Sequence, residues 1–400
     1  MFSKLEIFFC RFSKLEIIFC GFVQKMISLT HYPVYQGWHK ITSLTHLSRL
    51  LRRAEKGFVN ALIPFNGVRF IVLLIALACW AVPGLAADME ITPFRTVNQS
   101  PLVQIFGFPA ESSATITPAG RLTVGLAQDI ASEYTLGSSN NEQITLDGES
   151  YRWALSARYG LGERFEAGVE IPYILYGGGF LDGFMVDWHK TFGLPQGGRD
   201  TAPRNRLGYR YSKDGVQKLK MEHAGSGIGD IAISGGMKLY DVRDSRAHDS
   251  LALRASVKLP TGDSSSLRGS GSTDFSLALC GSMNSFTEWG SLGLFGSLGG
   301  MAMTRGDVLA DQQNNLAGFG TLGLGWGPAE WISFKVQLNA HTALYHGSSL
   351  DEISKTALML VGGGALKLPG DYLLDIGVSE DVAVATAPDV AFHLGLSKRF

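Results

Sequence analysis

The sequence predicts an all-β fold, a transmembrane antiparallel up-and-down β-barrel of about twelve strands, within a range of about 10 to 14. Three observations predict this fold: apolar and polar residues alternate along many short segments, the connections between those segments alternate in length, and the last segment ends on an aromatic residue. The composition agrees, because 49 glycines accompany a hydrophobic content of 45% and few segments show a helical period.

Period-two alternation is clearest in residues 331–344, where isoleucine, phenylalanine, valine, leucine and alanine alternate with serine, lysine, glutamine, asparagine and histidine. Residues 251–259 and 153–159 show the same pattern. A strand that crosses a bilayer at a tilt needs about 9–11 residues with one apolar and one polar face. These segments therefore match membrane-spanning strands.

The connections distinguish a membrane barrel from a soluble sandwich, because outer-membrane barrels alternate short periplasmic turns with longer extracellular loops. An even number of strands then leaves both ends of the barrel, predicted over residues 119–400, in the periplasm. The predicted short connections are residues 160–164, 241–249, 284–288, 327–330 and 368–371, and the longer ones are residues 137–141, 177–229, 261–272, 304–314, 346–354 and 381–389.

The last eleven or so residues, 390–400, form an amphipathic segment that ends on Phe400. This ending resembles the terminal strand that the barrel-assembly machinery recognises in outer-membrane proteins. Gly395 stands at the glycine position and Phe400 at the final aromatic, whereas Lys398 stands where a second aromatic is common. The resemblance implies that the assembly machinery is a partner.

A signal peptide is predicted at residues 68–87, where Arg69 precedes an uncharged apolar run that ends in a Pro-Gly turn and two small residues, Ala86 and Ala87. The run is shorter than the roughly 20 residues of a membrane anchor, and an uncleaved anchor is the alternative. Cleavage leaves Cys280 as the one cysteine of the mature chain. No intrachain disulfide or cysteine-based metal site is then possible.

Residues 1–67 contain two near-copies, residues 2–10 and 12–20. We interpret this region as a non-structural leader or as sequence upstream of the true start of translation, because the repeats are too short and too few for a packed repeat domain. An extended targeting segment is the alternative.

Two stretches carry a more specific likeness: residues 94–109, with Asn-Gln-Ser-Pro and Ile-Phe-Gly-Phe-Pro, and the loop of residues 192–205, with Phe-Gly-Leu-Pro. They resemble an uncharacterised Gram-negative outer-membrane barrel family, domain of unknown function 3187. The likeness covers about residues 94–400. It implies a barrel in the bacterial outer membrane, and it brings no activity and no functional residues.

Charged and histidine residues at the inward positions of the predicted strands are candidates for lining the lumen. Pairing Tyr159 with Phe165 across their turn predicts that Arg158 lies opposite Glu166. Two interpretations of these residues are possible. They form a charged constriction that selects solutes, or they form a salt-bridge network that fills a narrow barrel. The candidates are Arg152, Arg158, Glu166, Glu170, Asp230, Lys238, Arg254, Lys258, Asp274, Lys335, His341, Asp375 and His393.

The segment of residues 88–118 contains four prolines, 93, 101, 109 and 118, and proline lacks the N–H donor that a sheet interior requires. It is predicted to be a periplasmic or lumenal segment and not a strand. We hypothesise that its apolar residues 102–108 tuck under or into the barrel as a plug, because an exposed apolar strip is costly. A flexible leader is the alternative.

The long loop of residues 177–229 is rich in basic residues. Such a run can contact the phosphates of lipopolysaccharide or attract anions to the mouth of the barrel, and a solvated loop is the alternative. The basic residues are Arg199, Arg204, Arg206, Arg210, Lys213, Lys218 and Lys220.

The resulting functional hypothesis is a monomeric outer-membrane barrel that passes or binds a small solute. An outer-membrane enzyme acting on lipid and a structural or adhesive envelope protein are the alternatives. No nucleophile-elbow or metalloprotease motif supports catalysis. The formal net charge of −1 gives no bias toward nucleic acid. No cofactor and no metal site are expected, and outer-membrane lipid is the expected surrounding.

Overall fold

The computed structural model describes residues 89–192, 198–288, 290–382 and 386–400, apart from the side chains of residues 188, 189, 191 and 192. The predictions for residues 1–67 and for the signal peptide at 68–87 lie outside the described residues. Among the described residues, no helix has both the length and the apolar character needed to span a membrane.

In the part of the chain that the structure describes, fifteen strands form one sheet, and twelve of them close into a barrel. Each of the twelve pairs antiparallel with its neighbours along the chain, and β15 pairs with β1 from Thr123↔Arg399 to Ser132↔Val390. The prediction of a closed barrel of about twelve strands is confirmed. The strands are β1 Leu122–Ser139, β2 Glu142–Leu161, β3 Phe165–Gly177, β4 Gly208–Lys213, β5 Val216–Met221, β6 Gly225–Ile228, β7 Ala232–Arg243, β8 Ala247–Lys258, β9 Asp274–Thr287, β10 Gly290–Met303, β11 Leu316–Ala329, β12 Ile332–His341, β13 Ala357–Leu368, β14 Tyr372–Asp381 and β15 Val390–Arg399.

The three remaining strands belong to the end of the barrel that carries the longer loops, which is the extracellular end in outer-membrane barrels. The β4–β5 pair joins the extension of β2, from Glu142↔Lys213 to Asp147↔Gly208. Strands β6 and β7 pair with the same edge of β3. Between the two strands, residues 229–231 lie opposite only residues 171 and 172 of β3. This arrangement is a β-bulge, which re-aims a side chain. Helices α1, Asp182–Phe192, and α2, Asp351–Ser354, lie in extracellular loops.

Short turns at one end of the barrel alternate with longer loops at the other, as the sequence predicted, with one exception. Residues 137–141 are not a longer loop, because β1 and β2 extend for 18 and 20 residues and a tight turn at 140–141 joins them. Asn140 adopts φ of 50°, and asparagine tolerates this left-handed conformation. The polar flanks are therefore strand residues that rise above the rest of the wall.

The outer surface carries an apolar band, with residues such as Leu155, Leu277 and Leu322 about half exposed or more. Aromatic side chains flank this band. At the periplasmic end, Tyr159, Phe165, Trp326, Trp331 and Phe400 are exposed. At the other end, the rings of Tyr151, Trp153 and Tyr173 contact one another. An apolar band between two aromatic girdles is the lipid-facing surface of an outer-membrane barrel.

A hydrophobic core, which we call the extracellular cap, lies at the loop end of the barrel. Tyr176, Tyr209 and Tyr211 are fully buried in it together with Leu267 and Tyr345. The rings of Tyr176 and Tyr209 meet edge to face at 5.7 Å between centroids. Because these residues come from β3, β4 and two separate loops, the cap ties the loops together across the mouth.

Candidate functional site

Residues 89–119 form a U-shaped segment inside the barrel, which we call the lumenal hairpin. Its ascending limb comprises residues 89–99. At the periplasmic end of this limb, Oε2 of Glu90 lies 3.2 Å from Nδ1 of His248. At the extracellular end of this limb, Nδ2 of Asn98 donates to the carbonyl oxygen of Thr386 at 2.9 Å. The apex, residues 100–106, reverses the chain, and the descending limb, residues 107–119, returns to the start of β1.

The proline-containing sequence explains why this segment is not a strand. Several of its backbone N–H groups donate to side chains of the wall: that of Ile91 donates to Oδ1 of Asn284, and that of Phe94 to Oε1 of Gln337, both at 2.8 Å. A buried backbone donor must find an acceptor. Polar side chains of the lumen supply the acceptors that a neighbouring strand would otherwise supply.

The two limbs are joined to each other and to the wall by polar contacts. Arg95 of the ascending limb donates from Nη1 to Oγ of Ser112 at 3.0 Å and forms an ion pair with Glu170 of β3, 2.7 Å from Nη2 to Oε2. Oγ1 of Thr115 donates to Oε1 of Glu90 at 2.7 Å. The hairpin is therefore a single unit fastened to the lumen by hydrogen bonds and charges.

The apex is apolar and lies in the extracellular cap. Leu102 and Ile105 are each only 1% exposed, and the hydroxyl of Tyr345 donates to the carbonyl oxygen of Leu102 at 3.0 Å. The structure thus places residues 102–106 of the segment predicted as a plug at the loop end of the lumen. Whether the segment blocks conductance stays a prediction.

The structure places the predicted lumen residues on the inner side of the wall, and most of them in ion pairs. Arg152 of β2 lies 2.6 Å from Oε1 of Glu170 and 3.6 Å from Asp129 of β1. Asp129 is also 2.6 Å from Nδ1 of His393 on β15. Because Glu170 also holds Arg95, one connected network joins the barrel seam, the wall and the hairpin.

A second network surrounds the β-bulge. The bulge turns Asp230 inward, where Nζ of Lys258 lies 2.7 Å from Asp230 and 3.1 Å from Asp274. Lys258 donates to the carbonyl oxygen of Ile105 at 3.1 Å, and Asp274 accepts from the N–H of Gly107 at 2.7 Å. The apex of the hairpin is therefore fastened to this charged cluster as well as to the cap.

The remaining predicted residues are divided among smaller contacts. Lys335 pairs with Asp375 and lies 4.0 Å from the ring centroid of Phe94. Nε2 of His341 lies 2.9 Å from Nδ2 of Asn98. These contacts also join the wall to the ascending limb. Lys238, near the periplasmic end, lies 3.5 Å from Asp241 of its own strand.

The predicted opposition of Arg158 and Glu166 is wrong. The turn between β2 and β3 contains only residues 162–164, so Gly160 pairs with Glu166 and Arg158 with Gly168. Gly162 takes φ of 71°, which lets the turn close in three residues and lengthens both strands. Glu166 instead pairs with Arg254 of β8.

The two residues predicted as an assembly signal lie at the seam of the barrel. Gly395 pairs with Ala127 of β1 and Asp375 of β14. The N–H of Phe400 donates to the carbonyl oxygen of Leu122 at 2.7 Å, and its ring is exposed. Their recognition by the assembly machinery stays a prediction.

Sequence reasoning missed Arg95 and Asp129, which share the central network. Asp129 stands at an inward position between Ala127 and Ala131, so the period-two pattern of β1 could have identified it. Arg95 lies in the proline-containing segment, where no periodicity assigns a face. Among the described residues, no group of three or more histidines, cysteines or carboxylates could hold a metal ion.

Most basic residues of the long loop have carboxylate partners in the structure. Arg199 is buried and lies 3.0 Å from Asp182 and 2.6 Å from Asp389. Much of the positive charge predicted for this loop is therefore neutralised locally. The other pairs are Arg206–Asp147, Arg210–Glu222, Lys213–Glu142, Lys218–Asp311 and Lys220–Glu222.

Two of the cavities that border the lumenal hairpin are adjacent to each other. A vestibule of about 740 Å³ lies toward the periplasmic end, and an inner cavity of about 110 Å³ lies deeper. Arg95, Ser112, Ser156 and Arg158 line both cavities. These four residues form the partition between the two spaces.

A closed antiparallel barrel with an apolar outer band, aromatic girdles and a charged interior is a bacterial outer-membrane β-barrel. The model of the family described as a protein of unknown function (DUF3187) matches residues 69–400, and the chain belongs to that family. The resemblance seen in the sequence is confirmed. No curated protein matches the chain.

Solved structures with a similar architecture include the COG4313 outer membrane channel from Pseudomonas putida F1, at 14% identity and a TM-score of 0.44, over 71% of this chain and 96% of that one. The KdgM porin is similar at 9% identity and a TM-score of 0.34, over 70% and 99%. The translocator domain of the autotransporter NalP from Neisseria meningitidis shows 10% identity and a TM-score of 0.36, over 70% and 89%. At these identities and TM-scores the similarity shows the fold alone and assigns no role to the lumen residues.

Proposed function

We propose that this protein is an outer-membrane channel for a small solute and that the lumenal hairpin is its closed gate. One observation carries the proposal: a separate, non-strand segment fills a polar lumen and is held there by hydrogen bonds and ion pairs. Arg95–Glu170 and the Ile91–Asn284 hydrogen bond are examples. Water can replace such contacts when the segment moves, so the wall that it leaves stays solvated.

The charged wall supports the same proposal. Glu166, Glu170 and Asp274 would line an aqueous passage if the hairpin were absent, and interior charges tune selectivity in this class of barrel. A wall that served only to pack the hairpin could supply the acceptors for its backbone with neutral polar side chains, which would avoid the cost of bringing charges out of water. The polar interior thus favours a passage over a permanently filled core.

Access differs at the two ends of the lumen, which indicates how the gate would open. The vestibule meets the periplasmic half of the hairpin, whereas the apex lies in the extracellular cap. We infer that opening requires the apex to leave the cap, because the apolar contacts there hold the hairpin up. The hairpin would then withdraw toward the periplasm.

Planar-bilayer recording on the refolded protein tests the proposal, with a variant that lacks residues 89–115 compared with the full-length mature chain. We expect small or rare steps from the full-length chain and large, frequent steps from the variant. Heat-modifiable migration on gels provides the control that both proteins are folded barrels. Conductance that is equal in the two proteins would contradict the gate.

The alternatives give different results in the same preparation. Silence of both proteins, together with hydrolysis of added lipopolysaccharide, would indicate an enzyme acting on lipid. Silence without hydrolysis would indicate a structural or adhesive protein.

A further inference from the structure

The cation Arg158 differs from the other basic residues predicted to line the lumen. Arg158 lines both cavities. No carboxylate of the described residues lies within ion-pair distance of its guanidinium, whereas Arg152, Arg254, Lys258 and Lys335 all have such partners. Arginine presents five donors and remains charged at any physiological pH. The lumen therefore contains a positive group with free donors.

The neighbouring carboxylates are already engaged. Glu170 is shared by Arg152 and Arg95, and Glu166 pairs with Arg254 and also accepts from the N–H of Thr117 at 2.5 Å. Arg95 and Arg254 line the inner cavity together with Arg158, so other positive charges lie near it. An unpaired charge with little water around it is costly, so this position favours an anion from outside the protein.

The register of the wall leaves room beside Arg158. Arg158 pairs with Gly168, which pairs with Ser234 of β7, and the same row continues through Ser256 of β8 and Ser276 of β9. The stem of Arg158 lies over Gly168, and the three serines further along the row border the inner cavity. Their hydroxyls add hydrogen-bonding groups to the wall of the cavity that Arg158 lines.

The inner cavity is also lined by apolar groups. Phe108 of the hairpin meets Phe319 of β11 edge to face at 5.8 Å between centroids, and Ala278 and Cys280 border the same space. The volume of the inner cavity, about 110 Å³, is of the same order as the roughly 150 Å³ of an apolar cavity that binds benzene. One side of the cavity thus suits an oxyanion, and the other suits a small apolar body.

We propose that Arg158 and the inner cavity form a binding site for a small organic carboxylate, whose head group meets the guanidinium and whose apolar body lies beside Phe108 and Phe319. This inference rests on the proposed function, because it names the class of solute that the channel would transport. Binding itself requires no opening. The site can therefore be measured in the closed protein.

Isothermal titration calorimetry with benzoate on the folded full-length mature protein in detergent tests the proposal. Acetate, which has the charge without the ring, and benzamide, which has the ring without the charge, are the comparison probes. We expect benzoate to bind at least about tenfold more tightly than benzamide, because a charge-assisted contact contributes about 1.5–3 kcal/mol and each tenfold in affinity corresponds to about 1.4 kcal/mol. We expect a similar margin over acetate, because burial of an aromatic ring contributes about 1.5–3 kcal/mol. Equal binding of either comparison probe would overturn the proposal.

The variant Arg158→Gln should weaken benzoate binding by about tenfold or more, while Arg158→Lys, which keeps the charge, should retain part of it. Arg246→Gln, in an exposed periplasmic turn, removes the same charge elsewhere and should leave binding unchanged. If Arg158→Gln binds benzoate like the parent, or if the parent does not bind it, the proposal fails. Conductance steps without benzoate binding would contradict the binding site but not the channel. Benzoate binding without conductance steps would contradict the channel but not the binding site.

Discussion

The two ends of the barrel hold the lumenal hairpin by different means. The extracellular end buries the apex in an apolar cap with Leu102 and Ile105, whereas the middle and periplasmic parts hold the limbs through ion pairs and hydrogen bonds such as Arg95–Glu170. Apolar contacts are lost without replacement when the apex leaves, while polar contacts are replaced by water. In the proposed gate, the cap would therefore set the energy of opening, and the network would set the position of the closed hairpin.

The largest expected effect comes from breaking the cap. Leu102→Asp places a charge at a site that is 1% exposed and should destabilise the seated apex by about 4 kcal/mol or more. We expect frequent openings in planar bilayers. The control is Leu136→Asp, because Leu136 is 54% exposed on the extension of β1. Equal conductance of the two variants would show that the cap does not hold the gate.

A smaller effect is expected from the polar network. Glu170→Gln removes the shared partner of Arg95 and Arg152 and should destabilise the closed hairpin by about 3 kcal/mol, since breaking a buried pair leaves charges uncompensated. Openings should increase, but less than with Leu102→Asp. Asp311→Asn breaks the exposed pair with Lys218 and is the control, with an expected effect below about 1 kcal/mol. A larger effect of Asp311→Asn than of Glu170→Gln would contradict this assignment.

The third prediction concerns pH at the base of the cap. Glu133 lies on the extension of β1 beyond its pairing with β15, and burial, reinforced by the charge of Asp389, raises its pKa to about 8. Because the folded-state pKa is raised above the unfolded value, its stabilising contribution is present at low pH and is lost as pH rises through about 8. The melting temperature should therefore fall by several degrees between pH 5 and pH 9.

The matched variant for that experiment is Glu133→Gln, which is neutral throughout. Its melting temperature should depend less on pH than that of the parent, as followed by circular dichroism. An identical pH dependence in the two proteins would show that Glu133 does not titrate in this range.

The smallest expected effect concerns the long loop. Reversing the exposed Arg204, Arg210 and Lys220 to glutamate should reduce co-purified lipopolysaccharide by about twofold, because attraction to lipid phosphates falls with the lost charge. The effect is small because Arg210 and Lys220 already share Glu222. Lipid phosphate assays on the purified protein measure it, and an unchanged lipid content would favour a loop that is simply solvated.

The sequence predicted the wall far better than the interior contacts. Alternation along residues 331–344 indicates β12, Ile332–His341, because each side chain's face follows from the two-residue period. The partners of those side chains depend on register and turn length. The sequence does not reveal the three-residue turn that pairs Arg158 with Gly168 instead of Glu166. It also does not reveal that a tight turn at 140–141, and not a longer loop, joins β1 and β2.

The lumenal hairpin was the least predictable part of the candidate site. Its prolines excluded a strand, and its apolar residues suggested burial, but a segment without periodicity does not indicate which wall residues it meets. The pairing of Arg95 with Glu170 therefore depends on the path of the hairpin through the finished barrel. The unpaired state of Arg158 follows from the same path.

The central claim, that the lumenal hairpin closes the passage, is tested most directly by tying it to the wall. Oγ1 of Thr115 lies 3.3 Å from Oγ of Ser250, so cysteines at both positions, in a Leu102→Asp and Cys280→Ala background, should form a disulfide. A cysteine pair at Ser250 and Ser282, whose hydroxyl oxygens are 2.8 Å apart within the wall, is the control. The account predicts that oxidation of the 115–250 pair stops conductance steps and reduction restores them, with no such change in the control, whereas steps that persist in the oxidised 115–250 variant would contradict it.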